Sequence, residues 1–236
     1  MKATYVLVHS PSVGPATWEP VARALETRGH AAVVPDLTGV GATPPYWPAA
    51  VEAVRDAVVE AAPRGPLVLA AHSNAGLLLP AIKDGLGERV VACVFAETHL
   101  PPRAGLVRTA EEKFLPFLRK LAADDGSLPP WTDWWGPDRI APMLPDPDLR
   151  ERVVTEQPRL PLSYFTQRVP VPAGWDLVPC GYIWYGPPYD AIAAEAAGRG
   201  WPVVHVEGRH LHQVVRPAAV TDAMLGLVNS SLFPAR

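Results

Sequence analysis

At 236 residues, 48% of them hydrophobic, the chain can bury one substantial core and is of a size at which α/β proteins commonly form a single domain. A formal net charge of −3, with no Lys/Arg-rich run, argues against nucleic acid or an anionic membrane as a partner. No stretch approaches the roughly 20 apolar residues of a membrane span, so a soluble, cytoplasmic protein acting on a small molecule is expected.

Tyr5–Val8 reads as a strand behind a single Lys2, without the longer apolar segment and small-residue cleavage site of a secretion signal. The pattern then predicts a helix over Trp18–Thr27, a strand over His30–Val34, a helix over Ala49–Ala62 and a strand over Leu67–Ala71. A helix over Gly76–Gly85 and a strand over Val90–Ala96 complete the first hundred residues. Such alternation implies a parallel sheet with right-handed crossovers, whose active sites form beyond the carboxyl ends of the strands. That rule directs attention to His9, Ser10, Asp36, Ser73 and Glu97.

From about residue 101 to 179 the pattern becomes rich in proline and tryptophan, with helical pieces over Glu111–Ala122, Asp133–Leu144 and Asp148–Glu156. This segment reads as a helical cap inserted into a core formed by residues 1–100 and 180–236. Trp131, Trp134, Trp135, Tyr164 and Phe165 are candidates for an apolar roof over a substrate, or for packing of the cap on the core. Gly181–Tyr185 resumes the sheet, Ala191–Gly198 is a helix, Pro202–Val206 is the last strand and Ala218–Leu227 closes the fold. Cys93 and Cys180 read as buried thiols, and nothing in the sequence assembles a metal site or calls for a cofactor. Oligomeric state has no signature in the sequence.

The most informative segment is Leu67 to Leu77, where a strand-like run ends in Ala71-His72-Ser73-Asn74-Ala75 and passes into a helix-like run. Small residues around a serine at a sharp strand-to-helix turn are the pattern of a nucleophile elbow. The turn exposes the hydroxyl of Ser73 at a helix N-terminus, where the N–H of Asn74 is available to negative charge on a bound oxygen. A serine needs a base, and His210 lies on the loop after the last strand, in Glu207-Gly208-Arg209-His210. His205 and His212 read as packing or exposed residues, and His72 is expected to point away from a substrate. Two carboxylates compete for the third place. Glu97 ends a strand, whereas Asp190 follows the next strand but also suits the start of a helix; Glu97 is preferred.

With Val8-His9-Ser10 ending the first strand, the elbow at Ser73 and Gly208-Arg209-His210 near the end, the chain resembles the α/β-hydrolase superfamily. The stretch from His9 to Trp18, with Leu25 to His30 and Pro35 to Gly39, is similar to the small plant esterase and hydroxynitrile lyase group and its bacterial relatives. The resemblance implies an α/β-hydrolase fold and cofactor-free chemistry, either ester hydrolysis or cyanohydrin cleavage. In the esterases of that group the residue matching Pro11 donates a backbone N–H to the oxyanion, and proline has none. Ser12 or Val13 must then offer an amide, or the hydroxyl of Ser10 or Ser12 must turn inward; His9 is the neighbouring candidate. The lyases likewise carry a hydroxyl residue at the position of Ser10.

The leading expectation is a serine hydrolase of small or medium apolar or aromatic esters, thioesters or lactones. The alternatives are a lyase or cyclase using Ser73 and His210 as an acid/base pair, and a ligand receptor without turnover. Arg103, Arg108 and Arg209 are each candidates to bind one carboxylate.

Overall fold

The structure, a computed structural model, describes residues 3–232; the remainder of the expected core lies outside them. Six parallel strands form the main sheet: β1 (Thr4–Val8), β2 (Ala32–Val33), β3 (Leu67–His72), β4 (Val90–Ala96) and two late strands. Between them, β5 (Gly105–Arg108) and β6 (Arg168–Val171) pair antiparallel, apart from the sheet. The late strands are β7 (Cys180–Trp184) and β8 (Val203–His205), and the sheet order is β2-β1-β3-β4-β7-β8.

Alternation within the central strands buries both faces, as a parallel sheet covered by helices requires. Val6, Val8, Leu67, Leu69, Cys93 and Phe95 pack on one face, and Tyr5, Leu7, Val68, Ala70, Val94 and Ala96 on the other. The helices are α1 (Glu19–Thr27), α2 (Tyr46–Ala61), α3 (Leu79–Leu86), α4 (Leu115–Leu121), α5 (Pro137–Met143), α6 (Pro147–Thr155), α7 (Leu162–Thr166), α8 (Asp190–Gly198), α9 (His212–Val215) and α10 (Pro217–Leu232). Ala50 and Val54 of α2, Leu79 and Ile82 of α3 and Ala196 of α8 join the first face. Leu25 of α1 and Val220 and Met224 of α10 join the second. Cys93 and Cys180 are free, buried and directly opposite each other between β4 and β7.

The inserted segment is not wholly helical. The β5–β6 pair bounds it, with Gly105 opposite Val171 and Arg108 opposite Arg168. The helix predicted over Asp133–Leu144 is broken: a 3₁₀ turn over Trp131–Trp134 and α5 are separated by Gly136, whose φ of +77° halts the first. Asp146 starts α6 by accepting the N–H groups of Asp148 (3.0 Å) and Leu149 (3.1 Å), with Pro147 at the first helical position. The cap is tied to the core by polar contacts. Glu156 Oε2 accepts the Ala16 N–H at 2.7 Å, Arg152 pairs with Glu19, and the hydroxyls of Tyr46 and Ser163 meet at 2.6 Å.

Among the described residues no helix is long and apolar enough to cross a membrane.

Candidate active site

β3 is buried throughout and delivers its last residue to the carboxyl edge of the sheet. Ser73, the next residue, has φ of +55°, a left-handed conformation uncommon for a residue with a side chain. A 3₁₀ turn over Ser73–Leu77 follows, and α3 begins only at Leu79, so the helix predicted from Gly76 starts as a tighter turn. The tight fit extends to Gly76, where a Cβ would overlap the side chain of Thr98. That close approach brings the turn after β3 against the segment after β4.

Glu97 is placed by the same device. It follows β4 directly, has φ of +49°, and its side chain is only 1% exposed. Neighbouring contacts enforce this backbone. The Glu97 N–H donates to the Ile183 carbonyl at 3.1 Å, and the Tyr182 hydroxyl donates to the Thr98 carbonyl at 3.0 Å. The carboxylate accepts the Tyr185 N–H through Oε1 at 2.6 Å, and its Oε2 lies 3.5 Å from His210 Nδ1. The far side of that imidazole meets the proposed nucleophile: His210 Nε2 and Ser73 Oγ are 3.0 Å apart. At 3.5 Å the Glu97 contact is an ion-pair distance, longer than a formed hydrogen bond.

Asp190, the competing carboxylate, is exposed in the first turn of α8 and makes no contact with His210. Tyr189, not Asp190, stands at the N-cap of that helix, and Asp190 is its first residue.

His210 is enclosed by rings. Tyr189 stacks nearly parallel to it (centroids 5.3 Å apart, 6°), Trp131 of the cap approaches at 5.8 Å, and His72 at 4.7 Å. His72 does not border the cavity, but it holds His210: its Nε2 bonds the His210 carbonyl at 2.7 Å. Burial holds its pKa well below the ordinary histidine value, helped by the proximity of His210. The imidazole is therefore neutral and donates that bond.

His9 requires a correction. It does not border the cavity; it is fully buried, its Nδ1 donating to the Ser10 carbonyl (2.8 Å) and its Nε2 accepting the Leu37 N–H (3.0 Å). Burial lowers its pKa to about 4, against smaller opposing effects of the Ser10 bond and the Asp36 charge. Val13 is also unavailable, because its amide donates to the Ser10 carbonyl at 3.0 Å. The Ser12 amide donates to Ser10 Oγ at 3.3 Å.

A cavity of about 820 Å³ opens above Ser73 and is bordered by Ser10, Ser12, Asn74 and His210. Trp131, Trp134, Trp135, Phe114 and Phe165 form its apolar wall. Trp135 stacks on both Phe117 (5.4 Å, 19°) and Phe114 (6.1 Å, 19°), so the wall is a continuous ring cluster. Asn74, chosen from the sequence for its backbone N–H, has a second task. Its side chain accepts from the Tyr164 hydroxyl at 2.6 Å and donates to the Thr109 carbonyl, joining the elbow to the cap. Of the three arginines, Arg108 borders the cavity, Arg103 is paired with Asp176 at 2.9 Å and Arg209 does not border the cavity. The partners of Tyr189, Tyr164 and His72 lie 21, 90 and 138 positions away and leave no local pattern in the sequence; Gly76 alone carried a hint, as a glycine placed just past the elbow.

Among the described residues no group of three or more His, Cys, Asp or Glu side chains is arranged to hold a metal ion.

Comparison with known proteins agrees with this architecture. A rice protein described as a probable esterase, PIR7A (Oryza sativa), is 31% identical over 130 residues, covering 51% of this chain and 47% of the relative. The chain thus matches about half the length of its curated relatives. Among solved structures, polyneuridine aldehyde esterase superposes with a TM-score of 0.73 at 18% identity, covering 96% of this chain and 99% of the other. An extracellular α/β-hydrolase from a Paenibacillus species gives 0.74 at 15% identity, covering 95% and 98%. A histidine-to-alanine variant of tomato methylketone synthase I, complexed with β-ketoheptanoate, gives 0.74 at 14% identity, covering 98% of each chain. The model of the alpha/beta hydrolase family matches residues 5–223, and the chain belongs to that family.

Proposed function

We propose that the protein is a serine hydrolase of carboxylic esters with a bulky apolar or aromatic acyl part, using Ser73 as nucleophile, His210 as base and Glu97 as the acid. The observation that carries this reading is the 3.0 Å contact of Ser73 Oγ with His210 Nε2, backed by Glu97 at Nδ1. A buried carboxylate at Nδ1 fixes the tautomer that leaves Nε2 free to accept the serine proton, and stabilises the imidazolium that follows. Ser73 Oγ then attacks the carbonyl carbon, and His210 returns the proton to the leaving oxygen. Water releases the acyl group by the reverse sequence. The esterase descriptions of the rice relative and of polyneuridine aldehyde esterase support the reaction class, and the aromatic wall supports the apolar acyl part.

Charge on the carbonyl oxygen is met by the Asn74 N–H and the hydroxyl of Ser10. The oxygen of Ser10 already takes the Ser12 N–H, so its own proton is directed elsewhere, and Ser10 borders the cavity. A hydroxyl thus stands in for the amide that Pro11 lacks.

Mixing the protein with a nitrophenyl ester tests the reading. A burst of one nitrophenol per chain is expected, with turnover lost by about 10⁶-fold in Ser73→Ala. Steady turnover in Ser73→Ala at the wild-type rate refutes it.

A second reading is favoured by the occupied amides of Ser12 and Val13. Here Ser73 and His210 only move protons, in a lyase or cyclase reaction without an acyl-enzyme. Absence of a burst, with cleavage of a substrate that has no ester bond, distinguishes it.

A further inference from the structure

Tyr189 stands outside the Ser73, His210 and Glu97 set, yet its ring covers the imidazole, 6° from parallel at 5.3 Å. It follows β7 in a turn closed by its own N–H on the Gly186 carbonyl at 3.1 Å, and it borders the same cavity as Ser73 and His210. In the sheet, β1 and β7 lie on opposite sides of β3. Ser10 and Ser12, which follow β1, therefore flank Ser73 on one side, and Tyr189 flanks it on the other.

The proton that His210 accepts must be delivered from Nε2 to the leaving oxygen, so that oxygen lies beside Nε2, on the ring that Tyr189 covers. We propose that Tyr189 is a further catalytic residue whose hydroxyl donates a hydrogen bond to the leaving oxygen and, once that group has gone, to the hydrolytic water in the same place. The inference rests on the hydrolytic reading above. In acylation the bond from Ser73 Oγ to the carbonyl carbon forms, and the bond from that carbon to the leaving oxygen breaks. The serine proton passes through His210 Nε2 to the leaving oxygen, while Tyr189 keeps its own proton. In deacylation the water oxygen bonds to the carbon and the bond from that carbon to Ser73 Oγ breaks, the water proton passes through Nε2 to Ser73 Oγ, and the acid departs.

Burial, followed by the Glu97 carboxylate, raises the phenol pKa above its usual range, and an interaction with Ser73 opposes this only in part. A phenol in that state remains a donor throughout the working range.

Esters of one acyl group with leaving alcohols from nitrophenol to a simple alkanol provide the test. A poor leaving group carries more negative charge in the transition state, so it needs the donor more. Tyr189→Phe, which keeps the stacked ring, is expected to lower kcat/KM about ten- to a hundredfold for the alkyl ester and less than about threefold for the nitrophenyl ester, steepening the dependence on the leaving group. Tyr189→Leu, which also removes the stack, is expected to add a common loss to every ester. Parallel lines for wild type and Tyr189→Phe overturn the role while leaving the hydrolytic reading intact. A wild type that turns over no ester in the series overturns both.

Discussion

Ser73 and Glu97 each lie one residue past a buried strand in left-handed backbone, Glu97 held by its N–H on the Ile183 carbonyl, whereas Trp131, Trp134 and Trp135 hold the opposite wall through ring packing. At the sheet rim, a group is positioned by its own backbone and its neighbours. In the cap, position is shared among many rings. On the proposed reading the two regions divide the work accordingly: the rim carries the proton transfers, which demand fixed distances, and the cap carries the apolar contact, which tolerates repacking.

The largest expected effect lies at the rim. Glu97→Gln is expected to lower kcat about 10⁴-fold, as when a triad acid is replaced by its amide, while Asp190→Asn remains within about twofold of wild type. Equal losses in both variants would erase the distinction between a backbone-fixed carboxylate and an exposed one.

The buried histidines of the rim make stability depend on pH. The folded protein holds His9 neutral down to about 4, whereas an unfolded chain protonates it near 6.5. The unfolded state therefore binds more protons between those values, and stability falls as pH drops through that window, by roughly 3 kcal/mol from pH 7 to pH 4. His72 acts in the same direction. Urea midpoints measured across this range check the sign; a midpoint rising toward pH 4 contradicts it.

Ser10→Ala removes a single rim donor, with an expected loss in kcat of about 100-fold and little change in KM. Trp135→Ala in the cap gives the smallest effect, a rise in KM of about tenfold for a bulky aromatic ester with kcat nearly retained. A kcat loss larger than the KM rise in Trp135→Ala would show that the cap, too, fixes the reacting groups.

The same division explains what was legible in the sequence. The run from Leu67 to Leu77 announced the elbow because strand, turn and helix are local patterns, and His210 followed from its place after the last strand. The sequence favoured Glu97 over Asp190 only by its place at a strand end: the contact itself depends on β4 lying beside β7, so that the Tyr185 N–H and His210 meet the Glu97 carboxylate. Helix boundaries within the 101–179 segment shifted where proline and Gly136 break helices into short turns, and the β5–β6 pair escaped because its partners lie about 60 residues apart. His9 was read as a site residue from its position at a strand end, but both of its ring nitrogens are used to fix the Ser10 loop and the Leu37 backbone.

Treatment of the intact protein with a fluorophosphonate, followed by mass mapping of the adduct, tests the central assignment most directly. One adduct per chain on Ser73 is expected, abolished in Ser73→Ala and slowed in Glu97→Gln. An unlabelled wild type, or an adduct on another serine, contradicts it.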